Sequence, residues 1–170
     1  MENQLEVSIG EWLLKKRLKL AVAESCTGGL IGHRITNIAG ASEYYLGSVT
    51  AYAYEVKERL LGVRRETLAT YGAVSRETVI EMARGVRQAL AADFPLENTV
   101  GLSVSGIAGP GGGMPGKPVG FTWIGLSTPE QDWAWQFTWN GDRIQNKASS
   151  AQAALQLLLD YLKNHVPPEN

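Results

Sequence analysis

The stretch Leu18-Lys19-Leu20-Ala21-Val22-Ala23-Glu24-Ser25-Cys26-Thr27-Gly28-Gly29-Leu30-Ile31 decides the architecture. Its apolar run from Leu18 to Ala23 is too short for a helix and borders small residues and glycines, so it reads as a strand ending at Glu24-Ser25. Leu30, Ile31, Ile35 and Ile38 then recur at helical spacing, which predicts a helix beginning just after the serine. A strand feeding a helix in this way is the unit of layered α/β domains.

The alternation continues in both directions. Upstream, Leu5, Ile9, Trp12 and Leu13 keep one helical face, with Lys15, Lys16 and Arg17 in the last turn, where cations complement the helix dipole. Downstream, the aromatic and β-branched stretch from Tyr44 predicts a strand up to about Tyr52, followed by a short helical segment over Lys57 to Leu61. Ser75 suits the N-cap of a helix that carries Val79, Met82, Ala83, Val86 and Leu90 on one face and stops before Pro95. Thr99 to Ser105, Gly120 to Ser127 and Trp133 to Trp139 read as three strands. In the last of these the alternating aromatics suit a core or a subunit interface better than a base-stacking platform. A final helix places Ile144, Ala148, Ala151, Leu155, Leu158 and Leu162 on one stripe, with Asp142 positioned to cap it.

Composition narrows the functional classes. The 170 residues are 44% apolar, enough for one core, so a single domain over residues 1–166 with a polar tail at 167–170 is expected. Sixteen basic against seventeen acidic residues give a formal charge of −1, no field for holding a polyanion, so no nucleic-acid partner is expected. Cys26 is the only cysteine, and the two histidines have no companions at metal-ligand spacing, so neither a disulfide nor a metal site is expected. The segment from Met1 to Leu14 lacks the basic start and unbroken apolar centre of a secretory signal, and no apolar run approaches the ~20 residues of a membrane span. Cytoplasmic residence without a membrane partner is the simplest expectation.

Chemistry concentrates at Ala23-Glu24-Ser25-Cys26-Thr27-Gly28-Gly29. A serine at a strand-to-helix junction lies beside unpaired N–H groups able to stabilise an oxyanion, or it simply caps the helix. Cys26 competes as a nucleophile, since a thiol at a helix N-terminus is acidified, or is a small buried apolar residue. His33 falls about two turns beyond Ser25, too far for a Ser-His-Asp triad at ~1.5 Å per residue. Lysine replaces histidine when burial lowers its pKa, and Lys57, following the aromatic segment Tyr52 to Val56, is the best placed base, with the Tyr52 hydroxyl as a relay. Its ordinary reading is a solvated side chain. The glycine-rich segment from Ser103 to Gly113 lets amides approach an anion or is a turn between strands. Arg143 offers a planar, bidentate donor to a phosphate or is a surface arginine.

Several further segments stand in the same order along the chain: Gly40-Ala41-Ser42, Tyr52 with Glu55 and Lys57, Leu61-Gly62-Val63, Gly72-Ala73-Val74-Ser75, Ser105-Gly106-Ile107-Ala108-Gly109-Pro110, Lys117-Pro118-Val119-Gly120 and Gly141-Asp142-Arg143. With the serine segment, and over about Leu20 to Leu162, they resemble the C-terminal domain of the CinA family (competence-damage-inducible protein A), whose enzymes deamidate nicotinamide mononucleotide. The resemblance implies a three-layer α/β/α sandwich with a mixed central sheet. It implies Ser25 as nucleophile, Lys57 as base, and Tyr52 and Ser42 as assisting residues. Substrate binding is implied for Glu24, Thr27, Gly28 and Gly29 in the first segment, for Ser105, Gly106 and Gly109 in the glycine-rich one, and for Arg143. No cofactor and no metal are implied, and assembly into a homodimer or larger homo-oligomer is.

Where many relatives read Tyr-Ser-Asn-Glu, this chain has Tyr52-Ala53-Tyr54-Glu55, with a phenol in place of an amide at 54. Lys147 stands where a basic residue is common in the family's last helix, and no counterpart of the larger N-terminal domain of many fused relatives is expected here. Three other readings stay open: a nucleotide-binding or regulatory protein that kept the pocket, an amidase for another small carboxamide, and a structural partner using its tryptophan strand.

Overall fold

A computed structural model describes residues 4–170. The expectation about the N-terminal segment rests partly on residues 1–3, which lie outside the described residues. The order of elements is α1 (Gln4–Lys16), β1 (Lys19–Glu24), α2 (Leu30–Thr36), β2 (Tyr45–Thr50), α3 (Tyr54–Leu61), α4 (Arg65–Tyr71), α5 (Arg76–Ala91), β3 (Thr99–Gly106), β4 (Phe121–Ser127), β5 (Asp132–Thr138) and α6 (Arg143–Leu162). One five-stranded sheet runs in the spatial order β2-β1-β3-β4-β5. β1 pairs in parallel with β2 and β3, while β3–β4 and β4–β5 are antiparallel. The sheet is therefore mixed, as expected.

Period-two alternation sorts the strand side chains into two faces. Leu20 and Val22 of β1, with Val100, Leu102 and Val104 of β3, join the core with Ile9 and Leu13 of α1, Ile31 and Ile35 of α2 and the leucines of α6. Ala21 and Ala23 turn the other way, toward Met82 and Val86 of α5, Leu61 of α3 and Leu68 of α4. Helices on both faces give the three-layer α/β/α sandwich.

The two faces differ in side-chain size. Toward α5 the central strands β1 and β3 present alanine, serine and glycine. A Cβ at Gly101 would sit 2.1 Å from the Ala83 carbonyl oxygen, so α5 lies on the bare strand backbone. Ser103 Oγ donates to the Val79 carbonyl at 2.6 Å, fixing the helix in that groove.

The aromatic strand belongs to the core. Trp135 is buried, and Trp133 and Phe137 pack against the α6 side, with Trp133 and Tyr161 ring centroids 5.7 Å apart. Beyond α6 the last residues run along β5. Trp135 Nε1 donates to the Pro167 carbonyl, the Gln136 amide donates to Asn170 Oδ1, and Asn170 Nδ2 donates back to the Gln136 carbonyl. Residues 167–170 thus cover the open edge of the sheet. No helix of the described residues is long and apolar enough to cross a membrane.

β1 is where the sheet changes direction. The chain leaves it through α2 to place β2 on one side, then returns through α3, α4 and α5 to place β3 on the other. The carboxyl end of such a strand opens a crevice between the diverging connections. Ser25 is the first residue beyond that end.

Candidate active site

Pairing continues one step past the strands and sets the geometry. The Ser25 N–H donates to the Val104 carbonyl at 3.0 Å, and the Ala51 N–H donates to the Glu24 carbonyl at 2.8 Å. Ser25 and the Ala51-Tyr52 peptide are thereby held side by side. α3 starts at Tyr54, and its first turn carries Lys57 back over this point.

Lys57 is buried, with 1% of its surface exposed. Its amine donates to the Ala51 carbonyl at 2.7 Å and the Tyr52 carbonyl at 3.1 Å, and lies 3.0 Å from Ser25 Oγ. A neutral amine has two N–H donors and one lone pair. With both donors taken by the two carbonyls, the lone pair is left for the proton of the Ser25 hydroxyl. Burial lowers the Lys57 pKa to about 8, so the neutral form is accessible near physiological pH.

The same shift appears in stability. Below about pH 8 the fold holds a charged, desolvated lysine, and between about 8 and the ordinary value of 10.5 only the unfolded chain is protonated. Stability therefore rises with pH across that window. The stability of wild type minus that of Lys57→Met is expected to grow by roughly 3 kcal/mol between the two values. Urea unfolding at a series of pH values measures it, and a flat difference would show that the amine titrates alike in both states.

Cys26 is not poised to compete with Ser25. Its thiol is pushed up to about 12, chiefly by burial, so it stays protonated. Nor does it stand at a helix N-terminus. α2 begins at Leu30 and has Gly29 as its N-cap, so residues 25–29 form a turn in which Gly28 and Gly29 take positive φ values of 63° and 100°. The expected helix start just after the serine is corrected accordingly, and Ser25 caps nothing.

The donors at the start of α2 are consumed by Glu24. Its fully buried carboxylate accepts from the N–H groups of Gly29 at 3.1 Å, Ile31 at 3.0 Å and Gly32 at 2.9 Å, and from Thr27 Oγ1 at 2.6 Å. Glu24 and Thr27, expected among the substrate contacts, are therefore committed to holding the turn. The Gly28 N–H is also engaged, by the Ser25 carbonyl. The Thr27 N–H makes no hydrogen bond among the described residues, and the Cys26 N–H is engaged only by its own sulfur.

The other expected residues fall into three groups. Tyr52 touches the Ser-Lys pair through its backbone carbonyl, while its 61%-exposed side chain accepts from Arg143 Nη2 at 3.1 Å, so the expected hydroxyl relay is not formed. Arg143 also donates to the Gly109 carbonyl at 2.6 Å, which brings Arg143, Gly109 and Tyr52 together. Gly106 ends β3, and a Cβ there would lie 3.1 Å from Cys26 Sγ. Ser105 is buried and donates to the Ala73 carbonyl, whose own N–H donates to the Tyr54 hydroxyl. Ser42 is not brought to this site. It lies in the 3-10 turn Ala41–Glu43 before β2, at the amino end of β1, about 16 Å of strand from Ser25.

The sequence reading gave no role to the Ala51 carbonyl, which no side-chain pattern marks, or to Lys147, which stands one helical turn after Arg143. Among the described residues no group of three or more His, Cys, Asp and Glu could hold a metal ion, and both histidines are exposed.

Fold and site define an α/β/α domain that buries a serine-lysine pair at the switch point of a mixed sheet. A family model described as the CinA C-terminal domain matches residues 2–162, and the chain belongs to that family. A Halothermothrix orenii relative, described provisionally as a competence-damage inducible protein, is 48% identical over 163 residues, covering 95% of this chain and 38% of that protein. A "CinA-like protein" of Salinibacter ruber is 46% identical over 152 residues, covering 89% of this chain and 35% of that one. The chain thus spans less than two fifths of the length of these curated relatives. Among solved structures, a competence-damaged protein (CinA) superfamily member from Klebsiella pneumoniae superposes with a TM-score of 0.88 at 30% identity, covering 96% of this chain and 99% of that one. The resemblance read from the motifs is borne out.

Proposed function

We propose that this chain is an amidohydrolase that converts nicotinamide mononucleotide to nicotinate mononucleotide and ammonia through an acyl-enzyme on Ser25. The observation that carries the reading is the Lys57 amine, buried, held by two carbonyls and 3.0 Å from Ser25 Oγ. The choice of nicotinamide mononucleotide rests on the family resemblance.

Each step has a group at hand. Neutral Lys57 takes the Ser25 proton as the oxygen attacks the carboxamide carbon. The oxyanion is met by the N–H groups of Thr27 and Cys26, the first of them without another partner. The Lys57 ammonium then protonates the departing nitrogen, the C–N bond breaks, and ammonia leaves. Water, deprotonated by the same amine, attacks the ester and restores Ser25.

The test is ammonia release from nicotinamide mononucleotide, followed with product identification by mass. Wild type is expected to turn over, and Cys26→Ala to retain activity within about tenfold, because the protonated thiol takes no part in the chemistry. Binding of the mononucleotide without ammonia release would favour a regulatory nucleotide-binding role.

A further inference from the structure

The surroundings of Ser25 are rich in positive charge. Lys57 reaches its hydroxyl, Arg143 stands against Gly109 and Tyr52, and the Lys147 amine lies 3.8 Å from the place a Cβ would take on Gly28. The neighbouring acids are engaged or turned away. Glu24 has both oxygens taken by backbone donors and Thr27, Asp142 caps α6, and Glu58 pairs with Arg65. Glu55 lies about 160° around α3 from Lys57. Burial lowers the Lys57 pKa, and no carboxylate among the described residues offsets the fall. The ring of an N-substituted nicotinamide is itself a cation, so it enters this site without a carboxylate to meet it. An aromatic face is the group that can favour it there.

Tyr54 is placed to supply that face. Ser25 continues the alternation of Ala21 and Ala23 toward the layer of α3 and α5, and Tyr54 stands one turn before Lys57 on the same side of α3. That turn is ~5.4 Å, a reach that the six-membered ring beyond a carboxamide carbon spans. The Tyr54 hydroxyl accepts from the Ala73 N–H at 3.3 Å, and the Ala73 carbonyl accepts from Ser105 Oγ at 2.7 Å. Ser105 is level with Ser25, because Glu24 and Val104 pair across β1 and β3. The phenol therefore bridges from α3 to the turn before α5, beside the serine-lysine pair, with 49% of its surface exposed. Tyr52 turns instead to α6, where Arg143 already donates to its hydroxyl.

We infer that Tyr54 is a specificity residue whose ring packs against the pyridinium of the substrate and selects the oxidised, cationic nicotinamide over the reduced, uncharged dihydronicotinamide, an inference that rests on reading the chain as a nicotinamide-nucleotide amidase. The hydroxyl holds the ring in place through Ala73, and the face of the ring makes the selection. The amide that many relatives carry at this position offers no such face.

The experiment uses Ser25→Ala protein, which binds without turnover, titrated calorimetrically with nicotinamide mononucleotide and with its reduced, dihydropyridine form. Adding Tyr54→Leu is expected to weaken the oxidised ligand by about 3- to 30-fold, the worth of a cation over an aromatic face, and to leave the reduced one unchanged. Adding Tyr54→Phe instead keeps the face and removes only the bond to Ala73, so the preference for the oxidised ligand should persist. Equal weakening of both ligands by Tyr54→Leu, no weakening of either, loss of the preference in Tyr54→Phe, or failure of the mononucleotide to bind at all overturns the inference. Failure of the amidase reading looks different: wild type then releases no ammonia, while the Tyr54-dependent preference for the oxidised ligand remains.

Discussion

Lys57→Met is expected to lower kcat/KM for ammonia release by about 1,000-fold or more, and Ser25→Ala by at least as much. Methionine nearly matches the lysine stem in length and apolar character, so the buried channel stays filled while the lone pair beside Ser25 is removed. Lys57→Arg should fail too, because a guanidinium stays protonated at every working pH and cannot accept the serine proton. The two residues act as one unit, so the double variant is expected to be no worse than the poorer single one. Initial rates for the three variants and the double, with folding checked by circular dichroism, measure this. Near-additive losses would mean that Ser25 and Lys57 serve different steps.

The second large effect is on stability. Glu24→Ala removes the acceptor for three backbone N–H groups and the Thr27 hydroxyl, all at a fully buried carboxylate. Each orphaned buried donor costs about 1–3 kcal/mol, so a loss of about 4 kcal/mol or more is expected. Glu24→Gln keeps one acceptor oxygen but sets an NH2 group against donors, and should lose about half as much. Urea midpoints with an unchanged slope would register both. A loss below about 1 kcal/mol for Glu24→Ala would show that water or a rearranged turn satisfies these donors.

Most of the layered fold was legible because its elements carry strong periodicity. β1, β3, β4 and β5 lie within a residue or two of their expected bounds, and Asp142 caps α6 in a capping box with Gln145. The start of α2 lies about four residues beyond its expected place, since the serine suggested a cap, while the N-cap is Gly29 and the Glu24 carboxylate folding back from the strand takes the first-turn donors. α4 escaped notice because it is two turns long and buries only Thr67 and Leu68, too few positions to show a period.

The Ser25-Lys57 pair was readable as candidates, but their meeting depends on β2 pairing with β1, a contact between segments about 25 residues apart. Tyr52 was legible as a neighbour of the base, though not through its carbonyl, because any residue supplies that atom. Ser42 shows the opposite failure: a motif in register along the chain lies at the far end of β1.

The central claim is that a lysine with a lowered pKa activates Ser25, and the pH dependence of kcat/KM for ammonia release tests it most directly. Wild type should rise about tenfold per pH unit and level off near about 8. A plateau already reached below about pH 7, or a rate still climbing past the ordinary lysine value of 10.5, would contradict it.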